Sequence, residues 1–97
     1  MSEAPQNPAL SDLSGLVGQS FAVAVGGHRL MLTLVAAEEL HGSVRDAGGF
    51  RLEFLGPADP MLDQGIFPFE LEAERWDLFI VPISRSAEGT RYEAVFY

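Results

Sequence analysis

Two glutamates one residue apart, Glu70 and Glu72, form the pattern in this 97-residue chain that comes closest to a general acid and base pair. Carboxylates at i and i+2 share one face of a strand, and in a glycosidase such a pair flanks the bond to be broken. Alternation along "IFPFELE" gives both to the outer, solvated face, where charge discourages edge-to-edge strand pairing. A second pair of carboxylates occurs at Glu38 and Glu39. His28 and His41, the two histidines, fall in expected turns; each has the chemistry of a general base or zinc ligand, but a solvated turn histidine is the expectation for both. Ser43, Ser84 and Ser86 lack the glycine-flanked strand-to-helix turn that presents a nucleophile. No set of acid, base and nucleophile converges, so the expectation is that the protein is not an enzyme, with no catalytic, cofactor-binding or metal-binding residue assigned.

The stretch "GPADPMLDQG", residues 56 to 65, offers Asp59 and Asp63 to a cation. Calcium takes about six to eight oxygens, and this loop lacks that ligand density. Turn chemistry explains it instead: Gly56 and Pro57 stop a strand, Asp59 and Pro60 favour a turn, and Gly65 lets the next strand begin. Met61 and Leu62 are expected to fold back over an open end of the core. Trp76, in the expected connection "EAERWD", could anchor an interface or roof the core.

The elements that must position these residues are bounded by composition. The length suits one domain. Fourteen acidic residues against six basic ones, all arginine, give a net charge of −8. That field opposes binding to nucleic acid and to anionic membranes, so neither is an expected partner. With no cysteine, disulfides and thiolate metal sites are excluded. "MSEAPQNPAL" lacks a basic start and an apolar signal core, which makes a cytoplasmic location the expectation.

Residues 1–10 are expected to be a flexible tail, and residues 11–97 a single β domain. In "LSDLSGLVG", Ser11 could cap and Gly18 close a short helix, weakened by Gly15. From Phe21 the period becomes two. "FAVAV" and "RLMLTLVAAEEL", joined by glycines suited to a tight hairpin, form the first strands. "FRLEFL", "IFPFELE", "DLFIVPI" and "RYEAVFY" follow. Pro68 and Pro82 must sit at edges, strand ends or bulges. The pattern predicts an all-β fold: a small six-stranded, mostly antiparallel barrel or sandwich with a short N-terminal helix.

Outward positions of such a barrel should be polar, and on three strands they are not. Met31 and Val35 oppose the inward leucines of the second strand. Phe79, Val81 and Ile83 oppose Leu78 and Ile80, while Val95 and Tyr97 oppose Tyr92 and Phe96. These seven residues are the candidate interface, because one short helix cannot cover three strand faces and a contiguous exposed apolar patch usually marks an interface.

The runs "FRLEFLGP", "QGIF", "LFIVPI" and "YEAVF", spread over Phe21 to Tyr97, resemble an uncharacterised family of small bacterial all-β domains of unknown function, encoded beside phage-tail-collar-like proteins. The resemblance implies a compact β domain with a structural or accessory part in a tail-like assembly, and it carries no catalytic residue. The expected function is thus a non-enzymatic protein-interaction or structural module that pairs with itself or with another protein. The alternative is a carrier of a small apolar ligand, with Phe50, Phe54, Phe67 and Phe69 around a cavity at the barrel mouth.

Overall fold

Period-two runs rich in large apolar side chains, interrupted by two-residue turns, wind this chain into strands that each bury one face. The structure is a computed structural model that describes residue 13, residues 15–40 and residues 49–96. Its strands are β1 (Ser20–Val25), β2 (His28–Leu40), β3 (Gly49–Gly56), β4 (Gly65–Leu71), β5 (Glu74–Ser86) and β6 (Gly89–Phe96). All pairings are antiparallel and close a barrel in the order β1, β2, β3, β6, β5, β4, which resolves the expected barrel or sandwich in favour of a barrel.

Local chemistry sets the corners. Gly26 and Gly27, with φ of 52° and 85°, make the two-residue turn from β1 to β2; positive φ at both positions matches the right-handed twist of the strands they join. β2 and β5 are long, and each bends at a bulge, at Val35 and at Ile83, which gives a small closed barrel the curvature it needs. Pro82 lies at the second bulge. Pro68 stands where the brief β1 to β4 seam, formed by Ala22 with Glu70 and Val23 with Phe69, comes to its end. Both prolines therefore occupy positions where a missing N–H is tolerated.

The interior is solid. Phe21, Phe54 and Phe69 pack mutually, with ring centroids 5.7 Å apart for Phe21 and Phe54 and 4.7 Å apart for Phe54 and Phe69. Leu32, Leu34, Leu52, Leu78, Ile80 and Tyr92 complete a fully buried shell. One end is plugged by Leu13, buried in the core, and the other by Leu62. Burial of this aromatic and aliphatic surface is the main stabilising contribution to the fold.

The expected short N-terminal helix is unsupported among the described residues: Leu13 is helical, and residues 11, 12 and 14 lie outside them. Residues 15–18 form turns, with Leu16 N–H donating to Leu13 C=O and Gln19 N–H to Leu16 C=O, both at 2.9 Å. Such i to i+3 bonds, with Gly15 and a left-handed Gly18 (φ 98°), favour tight turns over a continuous helix. Ser11 and the expected tail over residues 1–10 lie outside the described residues.

Candidate interaction surface

The β4 to β5 hairpin places two exposed apolar side chains, one of them the most exposed large apolar side chain among the described residues, opposite one another. Its turn is Glu72 and Ala73, and the resulting register pairs Ile66 with Phe79, Phe67 with Leu78 and Phe69 with Trp76. The pleat turns Phe69, Leu78 and Ile80 into the core and Ile66 and Phe79 outward. Ile66 is 70% exposed and Phe79 50%. The bulge between Pro82 and Ser84 sets Ile83 at 45% exposure. Val81, half-buried and opposite Glu93, and half-buried Val95 on β6 lie on the same outer face. An apolar strip thus runs over the outer wall of β4, β5 and β6.

Four of the seven expected interface residues, Phe79, Val81, Ile83 and Val95, meet on this strip. Met31 and Val35 do not. They lie on β2, three places from β5 whichever way the barrel is followed, and hence on the opposite wall. Met31, 51% exposed, pairs with Ala22, and Val35 is the bulged residue of β2. The expected patch is therefore two separate surfaces. Tyr97 lies outside the described residues. Ile66 escaped selection although the alternation that sends Phe67 inward sends it outward.

A polar wall bounds the strip. On β3 and β6, Glu53 and Glu93 face one another, and Arg51 donates to both, at 3.0 and 2.8 Å, as well as to Glu38 at 3.1 Å. Arg91 donates to the second oxygen of Glu53 at 2.7 Å. The Arg51 hydrogen bond, joined by that of Arg91, holds the Glu53 carboxyl below the usual carboxylate range, against a desolvation that would raise it. Hydrogen bonds to Glu53 and Glu93 push Arg51 well above its ordinary value. Arg51 and Glu53 are thereby held in their charged forms near neutral pH, which suits a structural brace and not proton transfer.

The remaining candidates are scattered. Glu70 and Glu72 do not share a strand face: Glu70 lies on β4, 3.7 Å from Arg29, whereas Glu72 occupies the turn with φ of 55°. Glu38 belongs to the Arg51 brace, and the side chain of Glu39 lies outside those described. His28 is exposed at the first residue of β2; His41 and Ser43 lie outside the described residues; Ser84 and Ser86 are exposed on β5. Asp59 sits 3.9 Å from Arg85, and Asp63 is exposed. Among the described residues no three His, Asp or Glu side chains converge as a metal-binding group.

The loop of residues 57–64 is a cap. Leu62 N–H donates to Tyr92 Oη at 2.8 Å, and Ala58 C=O accepts from Arg85 Nε at 2.7 Å. Leu62 folds back into the core as expected, while Met61 remains exposed. Trp76 is on β5, not in a connection, and packs edge-on to Phe21 at 5.6 Å. Phe50, Phe54 and Phe69 are buried in the core, and Phe67 is half-buried against it. Depressions at the two barrel ends have other walls: Val25, Leu30 and Leu62 in one of about 570 Å³, and Leu16, Leu71 and Trp76 in one of about 470 Å³.

The class defined by these features is a closed six-stranded antiparallel barrel with a filled core and an apolar strip on one outer wall. Residues 8–96 match the family described as Domain of unknown function (DUF6916), and the chain belongs to that family. No curated protein and no solved structure matches it. The uncharacterised family implied by the sequence resemblance is thereby supported.

Proposed function

We propose that this domain is a non-enzymatic interaction and structural accessory module, and that it docks onto a protein partner through the outer face of β4, β5 and β6. The observation that carries this reading is the opposition of Ile66 and Phe79, both largely exposed, with Ile83 close by on the same wall. Water-exposed aliphatic and aromatic groups gain roughly 25 cal/mol per Å² when covered, before the costs of association are subtracted. The net charge of −8 opposes pairing between copies and favours a partner whose contacting surface is neutral or basic. Nucleic acid and anionic membrane are disfavoured by the same field. A place in a bacterial tail-like assembly follows from the resemblance alone, and it is part of the proposal together with the expected cytoplasmic location. Affinity capture from the native host tests the reading: a protein retained by the wild type should be lost from Ile66→Glu/Phe79→Glu. Equal retention by both overturns it, and a light-scattering mass that climbs with concentration assigns the face to self-association.

A second reading, binding of a small apolar ligand, is favoured by the depression walled by Val25, Leu30 and Leu62, since its volume lies in the range of ligand sites. Saturable uptake of an apolar fluorophore, abolished by Leu30→Glu, would support it; absence of uptake would end it.

A further inference from the structure

The barrel end where β1 begins and β4 finishes carries the depression of about 470 Å³ walled by Leu16, Leu71 and Trp76, and Glu72 and Glu74 also line it. The indole is half-buried and set edge-on against Phe21, so its position is fixed by the core. Both glutamates are exposed. Among the described residues every arginine stands within ion-pair distance of a carboxylate: Arg29 of Glu70, Arg51 of Glu53 and Glu93, Arg75 of Asp77, Arg85 of Asp59, and Arg91 of Glu53. Among the described residues Glu72 and Glu74 have no such partner, although Arg75 directly follows Glu74 in sequence.

We propose that this depression receives a basic side chain, lysine or arginine, presented by a protein partner. An aromatic face attracts a cation, two unpaired carboxylates complement its charge, and the leucine walls accommodate the aliphatic stem that carries it. The chain's net charge of −8 steers a basic partner toward the site. The inference rests on the reading of the domain as a protein-binding module, but it uses a different surface from the strip on β4, β5 and β6.

Trp76 is the single tryptophan of the chain, so its emission reports this site directly. The probes are blocked tripeptides with a central lysine or arginine, compared with the norleucine peptide at fixed ionic strength. The expected result is a saturable emission change with both basic peptides, none with norleucine, and its loss in Glu72→Gln/Glu74→Gln, whose melting curve shows the fold intact. No saturable response, an equal response to norleucine, or an unchanged response in the double variant overturns the proposal. So does tighter binding of tetramethylammonium than of the peptides, which assigns the site to a free cation. Emission that changes with protein concentration alone assigns it to a second copy and likewise overturns it. Ile66→Glu/Phe79→Glu should leave the peptide response intact, so failure here and failure of the outer-face reading are told apart.

Discussion

The phenol oxygen of Tyr92 accepts a hydrogen bond of 2.8 Å from the backbone N–H of Leu62, tying the cap over one barrel end to the core strand β6. Both residues are buried, so the bond is shielded from water, and its loss leaves a donor without a partner. Tyr92→Phe keeps the ring and removes only the acceptor. Denaturant unfolding should show a loss of about 1 to 3 kcal/mol, and amide exchange at Leu62 should accelerate. Unchanged stability and exchange would show that the cap is held by apolar packing alone.

Glu53 and Glu93, opposed across β3 and β6, are like charges in a position that destabilises a sheet unless a cation intervenes, as Arg51 does. Folding lowers the Glu53 pKa. The stability this adds is complete above the unfolded carboxylate value, near about 4.3, and is lost as pH falls through the lower folded value. Unfolding free energy measured from pH 7 down to pH 3 should therefore fall on the acid side. Glu53→Gln should be less stable at pH 7 by about 1 to 2 kcal/mol and show a shallower acid slope. Parallel curves for the two proteins would remove Glu53 from the account.

Gly89 enters β6 with φ of 141°, and a Cβ placed there would run into the carbonyl oxygen of Gly56. Gly89→Ala combines backbone strain with a steric clash against a main chain that is itself paired in β3. A loss of at least about 2 kcal/mol is expected in chemical denaturation. A near-neutral result would mean that the turn at residues 87 and 88 shifts freely.

Which side of each strand faces the core was legible wherever alternation is strict, as in "FRLEFL", where Phe50, Leu52 and Phe54 are buried and Arg51 and Glu53 face out. The first hairpin was legible through its two glycines. The second was not: Glu72 and Ala73 carry no turn chemistry, and Glu72 takes its left-handed φ because both strands are held by the barrel, which drew Trp76 into β5. Strand order was invisible as well. Alternation says that Met31 and Phe79 both point outward, but only the closure order puts them on opposite walls. Bulges at Val35 and Ile83 answer to barrel curvature, which no local run of residues encodes.

The chain holds three isoleucines, two on the proposed docking strip (Ile66 and Ile83) and one buried in the core (Ile80). The most direct measurement is the isoleucine δ1-methyl NMR spectrum of the domain, free and bound to the protein it captures. Docking through β4, β5 and β6 predicts that the Ile66 and Ile83 methyl signals shift or broaden on binding while that of Ile80 holds its position. A complex in which Ile66 and Ile83 remain as they were in the free protein would contradict it.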